Sequence, residues 1–239
     1  MKKMLVLLLS FVILFYTYGT NAFCESLPDS DNYYIKTLYD YLKNDAVGSE
    51  IKHTDVQLKN HDTDEAIYID SYHYVEEIND VVKETVVFAL PSMLFSTSDG
   101  GMSPRLSGFH DEYDSSYSVY GQVTYYYSTF QSHGNTGYLL TSVAGGWTVL
   151  DSSVTLSDRS VYYACEGFVL TNQGISSIDF SQYCTKYPGT NSFSYNTGFT
   201  NYIINDGNAG TMGATSEVTL RHGGSSVWTL EVVAKAFGP

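Results

Sequence analysis

From Tyr117 to its end the chain is a succession of short runs rich in Val, Thr, Tyr and Phe, each closing at glycine or asparagine. Branched and aromatic side chains suit a pleated, half-buried surface, and Gly and Asn supply the backbone angles of tight turns. The runs fall at 117–130, 137–143, 147–156, 160–171, 176–183, 192–204, 214–221 and 226–236. Seven or eight strands in about 120 residues predict an antiparallel β-sandwich or a partly open barrel. The last hairpin is the clearest. Val218 and Leu220 lead into His222-Gly223-Gly224-Ser225, after which Trp228, Leu230 and Val232 resume the alternation. The two cysteines of this half are too close, and no tryptophan lies between them, for the immunoglobulin pattern.

The preceding region reads differently. Residues 25–116 carry nineteen acids and six bases, whereas 117–239 carry seven acids and four bases but fifteen of the twenty glycines. This places a composition boundary near Ser115, between an acidic helix-plus-hairpin region with its loop (23–114) and an all-β domain (115–239). Pro28-Asp29-Ser30-Asp31 starts a helix, Tyr34, Ile35, Leu38, Tyr41 and Leu42 recur at helical spacing, and Gly48 follows its end. The polar face is not basic, so the helix is expected to pack on a sheet. Runs at 66–75 and 81–90, separated by a segment ending in Asn79-Asp80, predict a hairpin. Ser96–Ser116 is a polar loop.

The first residues constrain location. Lys2 and Lys3 precede the uncharged apolar run Met4–Phe15, and Thr20 and Ala22 fit the small-residue pockets of a signal peptidase. Residues 1–22 are read as a signal peptide cut after Ala22, with a cut after Cys24 or an uncleaved anchor as competitors. The expectation is a bacterial protein that is extracellular or at the cell surface, and an uncleaved anchor is its one expected membrane contact. Without Lys2 and Lys3, ten bases face twenty-six acids, a formal charge of −16. Such a surface repels phosphate backbones, which excludes nucleic acid as a partner.

Few motifs carry chemistry. His110, Asp111, Glu112 and Asp114 sit together in the polar loop, where carboxylates and an imidazole suit a divalent cation such as calcium, and a solvated acidic loop is the competing reading. Apart from that cation no cofactor is implied. Cys165 and Cys184 have a spacing that allows a disulfide closing a modest loop; two buried thiols are the other reading. There is no GxSxG elbow and no cysteine with a companion histidine pattern, so nothing marks a reaction.

Tyrosine is the more suggestive feature, with twenty-two in the chain. In the first β run Val119, Val123, Tyr125 and Tyr127 are expected on one face and Tyr120, Gln122, Thr124, Tyr126, Ser128 and Phe130 on the other. Tyr120, Tyr126 and Phe130 are the aromatic plates this reading offers to a ligand, with cross-strand pairing as the structural alternative. The function expected is a non-catalytic module binding a glycan, a cell-wall polymer or an extracellular protein. Its rivals are a secreted hydrolase with an acidic centre near His110 and, third, a membrane-active β protein.

Overall fold

The computed structural model describes residues 38–43, 50–78, 80–91, 117–207, 210–222 and 226–238. Among them are eleven strands: β1 (Glu50–Asn60), β2 (Ala66–Ile78), β3 (Val81–Pro91), β4 (Tyr117–Ser132), β5 (Asn135–Val149), β6 (Val154–Thr171), β7 (Gly174–Lys186), β8 (Ser192–Asn196), β9 (Ile203–Ile204), β10 (Thr211–His222) and β11 (Ser226–Phe237). Hydrogen-bonded neighbours run β10-β11-β1-β2-β3-β4-β5-β9-β6, and β6 pairs again with β10 from Thr211↔Glu166 to His222↔Val154. The result is a closed antiparallel barrel. β7 lies outside it on β6, and β8 on β5.

Local chemistry explains the tightest connections. Ile78 pairs with Val81, and Asp80, just before Val81, takes a φ of 65°. Ser132 pairs with Asn135 across His133-Gly134, whose φ values are 51° and 77°. Positive φ at such positions matches the right-handed twist of the flanking strands.

Period-two alternation then fills the barrel. On β4, Val119, Val123, Tyr125 and Tyr127 face inward, as the sequence pattern predicts, and meet Val86, Phe88 and Leu90 from β3. Trp228, Tyr163, Leu58, Leu140, Met212 and Leu230 close the remaining space. The interior is a packed core, as in small barrels whose side chains fill the lumen.

The outward face of β2, β3 and β4 is also buried in part, beneath a helical segment at residues 38–43. Tyr39 and Leu42 press onto Tyr72, Val87, Ala89 and Tyr120, with the Tyr39 ring edge-on to Tyr72 and Tyr120 at centroid distances of 5.4 Å. The helix packs on a sheet as expected, but Tyr39 takes the inner position while Tyr41 is exposed.

Several expectations are corrected. The fold is mainly antiparallel β as expected, but it is a closed barrel rather than a sandwich or a partly open barrel, because the β6–β10 ladder joins the two ends of the sheet. The small N-terminal region is not separate from it: β1, β2 and β3 sit in the ring between β11 and β4, and β3 pairs with β4 from Val81↔Ser128 to Pro91↔Tyr117. β1 was not expected as a strand at all. The runs expected at 137–143 and 147–156 are joined through Gly145-Gly146, which lies inside β5, and the 192–204 run divides into β8 and β9. Residues 1–37, which include the signal segment and the proposed helix start, and 92–116 lie outside the described residues.

Candidate binding surface and the barrel mouth

Directly opposed residues of an antiparallel ladder share a face. The observed registers therefore align Ser160, Glu217, Glu231, Gln57 and Tyr68 in one outward row crossing β6, β10, β11, β1 and β2. With strands about 4.8 Å apart, the row is roughly 19 Å long. Ser160 Oγ donates to Glu217 Oε2 at 3.2 Å, and Gln57 Nε2 to the Tyr68 hydroxyl at 3.4 Å. The neighbouring row holds Thr185, Tyr162, Thr215 and Val233. Between them opens a groove of about 440 Å³ lined by Asp158, Ser160, Tyr162, Thr185, Tyr187, Thr215 and Glu217.

Aromatic rings flank the carboxylates. Tyr162 and Tyr183 lie 6.3 Å apart at 32°, and Tyr183 and Tyr187 are 65% and 78% exposed. At the row's other end Tyr68 is exposed as well. Partial burial raises the Glu231 carboxyl above its usual range, and the charge of Glu217 and a hydrogen bond with it add to the effect, against the pull of Lys235. Glu231 thus favours keeping its proton where it faces Glu217. Burial, then Glu166 and Tyr183, raises the Tyr162 phenol.

A second polar cluster lies at one mouth of the barrel. Pairing of β1 with β2 shifts between Lys52 and Val56, an irregularity that brings Asp55 Oδ2 to 2.6 Å from His73 Nε2. Deeper in, Glu84 accepts hydrogen bonds from the Tyr125 and Tyr127 hydroxyls, the latter at 3.0 Å. Burial first, and then Glu84, pushes both phenols far above the ordinary tyrosine range, so they act as fixed donors. A groove of about 440 Å³ at this end is lined by Lys52, Asp55 and the segment Val233–Gly238 apart from Ala234.

The residues singled out from sequence fare unevenly. Tyr120 is buried beneath Tyr39, which removes it as a surface plate. Tyr126 is half-buried, and its carbonyl accepts from Thr141. Phe130 is half-buried against Tyr202 at 5.4 Å. Tyr126 and Phe130 do lie on the outward side of β4, but apart from the groove on β6 and β10. His110, Asp111, Glu112 and Asp114 lie outside the described residues. Among the described residues no group of three or more His, Cys, Asp or Glu is placed to hold a metal ion.

Cys165 and Cys184 are free thiols rather than a disulfide. The ladder sets Cys165 opposite Gln182 and Cys184 opposite Tyr163, so the cysteines are diagonal neighbours. Diagonal Cα atoms sit about 7–8 Å apart, beyond the usual disulfide span. Burial pushes the Cys165 thiol up to about 11.

Tyr162, Tyr183 and Tyr187 were visible in the sequence only as members of a tyrosine-rich half, and Glu217 and Glu231 carried no motif. Their association arises from register, which joins β6, β7, β10 and β11 across long stretches of chain. No protein-family model matches the chain, and no curated protein or solved structure gives a match.

Proposed function

We propose that this protein is an exported, non-catalytic binding module that holds an extracellular ligand against the outward face of β6, β10, β11 and β1. The observation that carries this reading is the in-register row from Ser160 to Tyr68, with exposed tyrosines at both ends and paired carboxyls in the middle. Flat rings with hydroxyl handles suit the faces of sugar rings or a protein surface, and carboxyl and amide groups suit hydroxyls and amines. The ligand class is a glycan or cell-wall polymer, or an extracellular protein. Polyanions are disfavoured by the strong excess of acids over bases, ten bases against twenty-six acids once Lys2 and Lys3 are gone.

Barrel polarity weighs against the membrane-active alternative. Outward positions of β10 and β11 include Thr215, Glu217, Arg221, Thr229, Glu231 and Lys235, while Trp228, Leu230 and Val232 fill the inside. A membrane-spanning barrel needs the reverse, an outward apolar band.

The test is a glycan array and a cell-wall pull-down with the wild type and with Tyr162→Ala/Tyr183→Ala. Saturable binding that weakens at least about tenfold in the double variant, with an unchanged circular dichroism spectrum, supports the reading. No binding to glycans, cell wall or extracellular proteins overturns it.

A further inference from the structure

The groove on β6, β7 and β10 has a chemically one-sided wall. Apart from the carboxylates of Asp158 and Glu217, every side chain that lines it ends in a hydroxyl. Asp158 reaches this wall because pairing of β6 with β10 shifts between Glu217 and Thr219, an irregularity at which Asp158 takes a φ of 47°. Among the described residues no cation joins the lining. Arg159 stands between Asp158 and Ser160 in the chain, but its guanidinium donates to the Asn191 side-chain oxygen and to the Leu156 carbonyl. Lys186 pairs with Val161 and so shares the face of that core residue, away from Thr185. Lys235 acts on Glu231 from farther along β11, outside the lining.

A wall of this kind selects among ligands. Tyrosine rings and hydroxyls suit a polyhydroxylated sugar. Ionised carboxylates only accept hydrogen bonds, so they repel a carboxylated sugar and favour an ammonium, which has three donors and no acceptor. Register adds a second reason, since Glu217 directly opposes Glu231 and a cation relieves that like-charge contact. A lysine-bearing peptide offers the same ammonium, but on an apolar stem that leaves the hydroxyls of the wall without partners. We propose that the groove takes an amino sugar whose amine is free, with its ammonium held by Asp158 and Glu217 and its ring against Tyr162. The assignment rests on the binding function proposed above and narrows its ligand from glycans in general to basic ones.

Isothermal titration calorimetry of the exported protein with a glucosamine oligomer, its fully N-acetylated counterpart and an oligolysine peptide tests the assignment. The free-amine oligomer is expected to bind at least about tenfold more tightly than the acetylated one. Asp158→Asn/Glu217→Gln is expected to abolish that preference while circular dichroism stays native. Asparagine tolerates the positive φ at position 158, and the amide oxygen introduced at position 217 still accepts from Ser160. Because the double variant leaves most of the excess of acids in place, general attraction for amines survives in it and only the preference of the groove is lost. Equal affinity for the two oligomers, a preference for the acetylated one, or an amine preference that survives the double variant overturns the assignment. Binding of oligolysine alone overturns it in favour of a protein ligand. If the acetylated oligomer binds as well as the free amine and is lost in Tyr162→Ala/Tyr183→Ala, the binding function stands and the ammonium site falls. No binding of any probe also overturns the assignment, and the array and pull-down then decide the binding function separately.

Discussion

Glu217 and Glu231 face each other directly across β10 and β11, in the middle of the outward sheet, and share a hydrogen bond. Like charges in opposed positions destabilise a ladder, so the pair is relieved when one carboxyl keeps its proton.

That relief makes stability depend on pH. Burial first and Glu217 second raise the Glu231 carboxyl in the folded protein above its ordinary value of 4.5. The folded state then binds the proton more tightly than the unfolded chain, so this contribution is complete below that value and is lost as pH rises through the folded one. Glu231→Gln is expected to remove the decline and to gain about 0.5 kcal/mol at neutral pH, a modest figure because the group is partly exposed and screened. Urea denaturation of both proteins between acid and neutral pH checks it.

The Glu84 cluster is expected to behave as a structural unit. Tyr125→Phe leaves the carboxylate with the Tyr127 hydroxyl and removes a hydrogen bond to a charged acceptor, at a cost of about 1.5–3 kcal/mol. Because burial and Glu84 hold the Tyr125 phenol above its ordinary value of 10.0, the folded state retains a proton that the unfolded chain releases. Stability therefore falls as pH rises above that value. Ultraviolet titration of tyrosinate is expected to show Tyr125 and Tyr127 ionising only with alkaline unfolding, and the step for Tyr125 is absent in the variant.

Part of this architecture was legible in the residues. Two branched runs around Asn79-Asp80 gave the β2–β3 hairpin, and the alternation from Val119 to Tyr127 gave the two faces of β4. β1 was hidden because Glu50, Lys52, Asp55 and Lys59 dilute its pattern and its shifted pairing breaks the two-residue period around Val56. Barrel closure was hidden because it depends on β6 and β10 meeting across an intervening stretch that contains β7, β8 and β9. Tyr120 was placed on the correct face, yet its cover, Tyr39, comes from a remote part of the chain. The candidate surface was the least legible, since an opposed pair such as Glu217 and Glu231 exists only once register is set.

Gly145 shows how one such reading changes. Glycine beside glycine suggests a turn, but here the missing side chain lets β8 approach β5. A Cβ at Gly145 would lie 2.7 Å from Phe193 Cζ and closer still to the Gln122 carbonyl oxygen. Gly145→Ala is expected to cost about 1–3 kcal/mol and to loosen the packing of Phe193 on Trp147, because backbone cannot yield as a flexible side chain does. Thermal denaturation followed by tryptophan fluorescence measures both effects.

The thiols provide a chemical check on the β6–β7 register. Cys165 is fully buried in the barrel core, and burial pushes its thiol up to about 11, so little thiolate is present at neutral pH. Cys184 is half-buried on β7, one diagonal step away. A thiol-reactive mass tag is expected to modify Cys184 slowly and Cys165 hardly at all in the native protein. Without any reductant, denaturation is expected to make both react completely. If the pair instead stays unreactive until reduced, the two cysteines are bonded, and β7 must slide or twist on β6 to bring positions 165 and 184 within disulfide reach. Such a shift would also move Tyr183 relative to Tyr162 and reshape the groove. Thiol counting therefore tests the geometry of the binding face without any ligand.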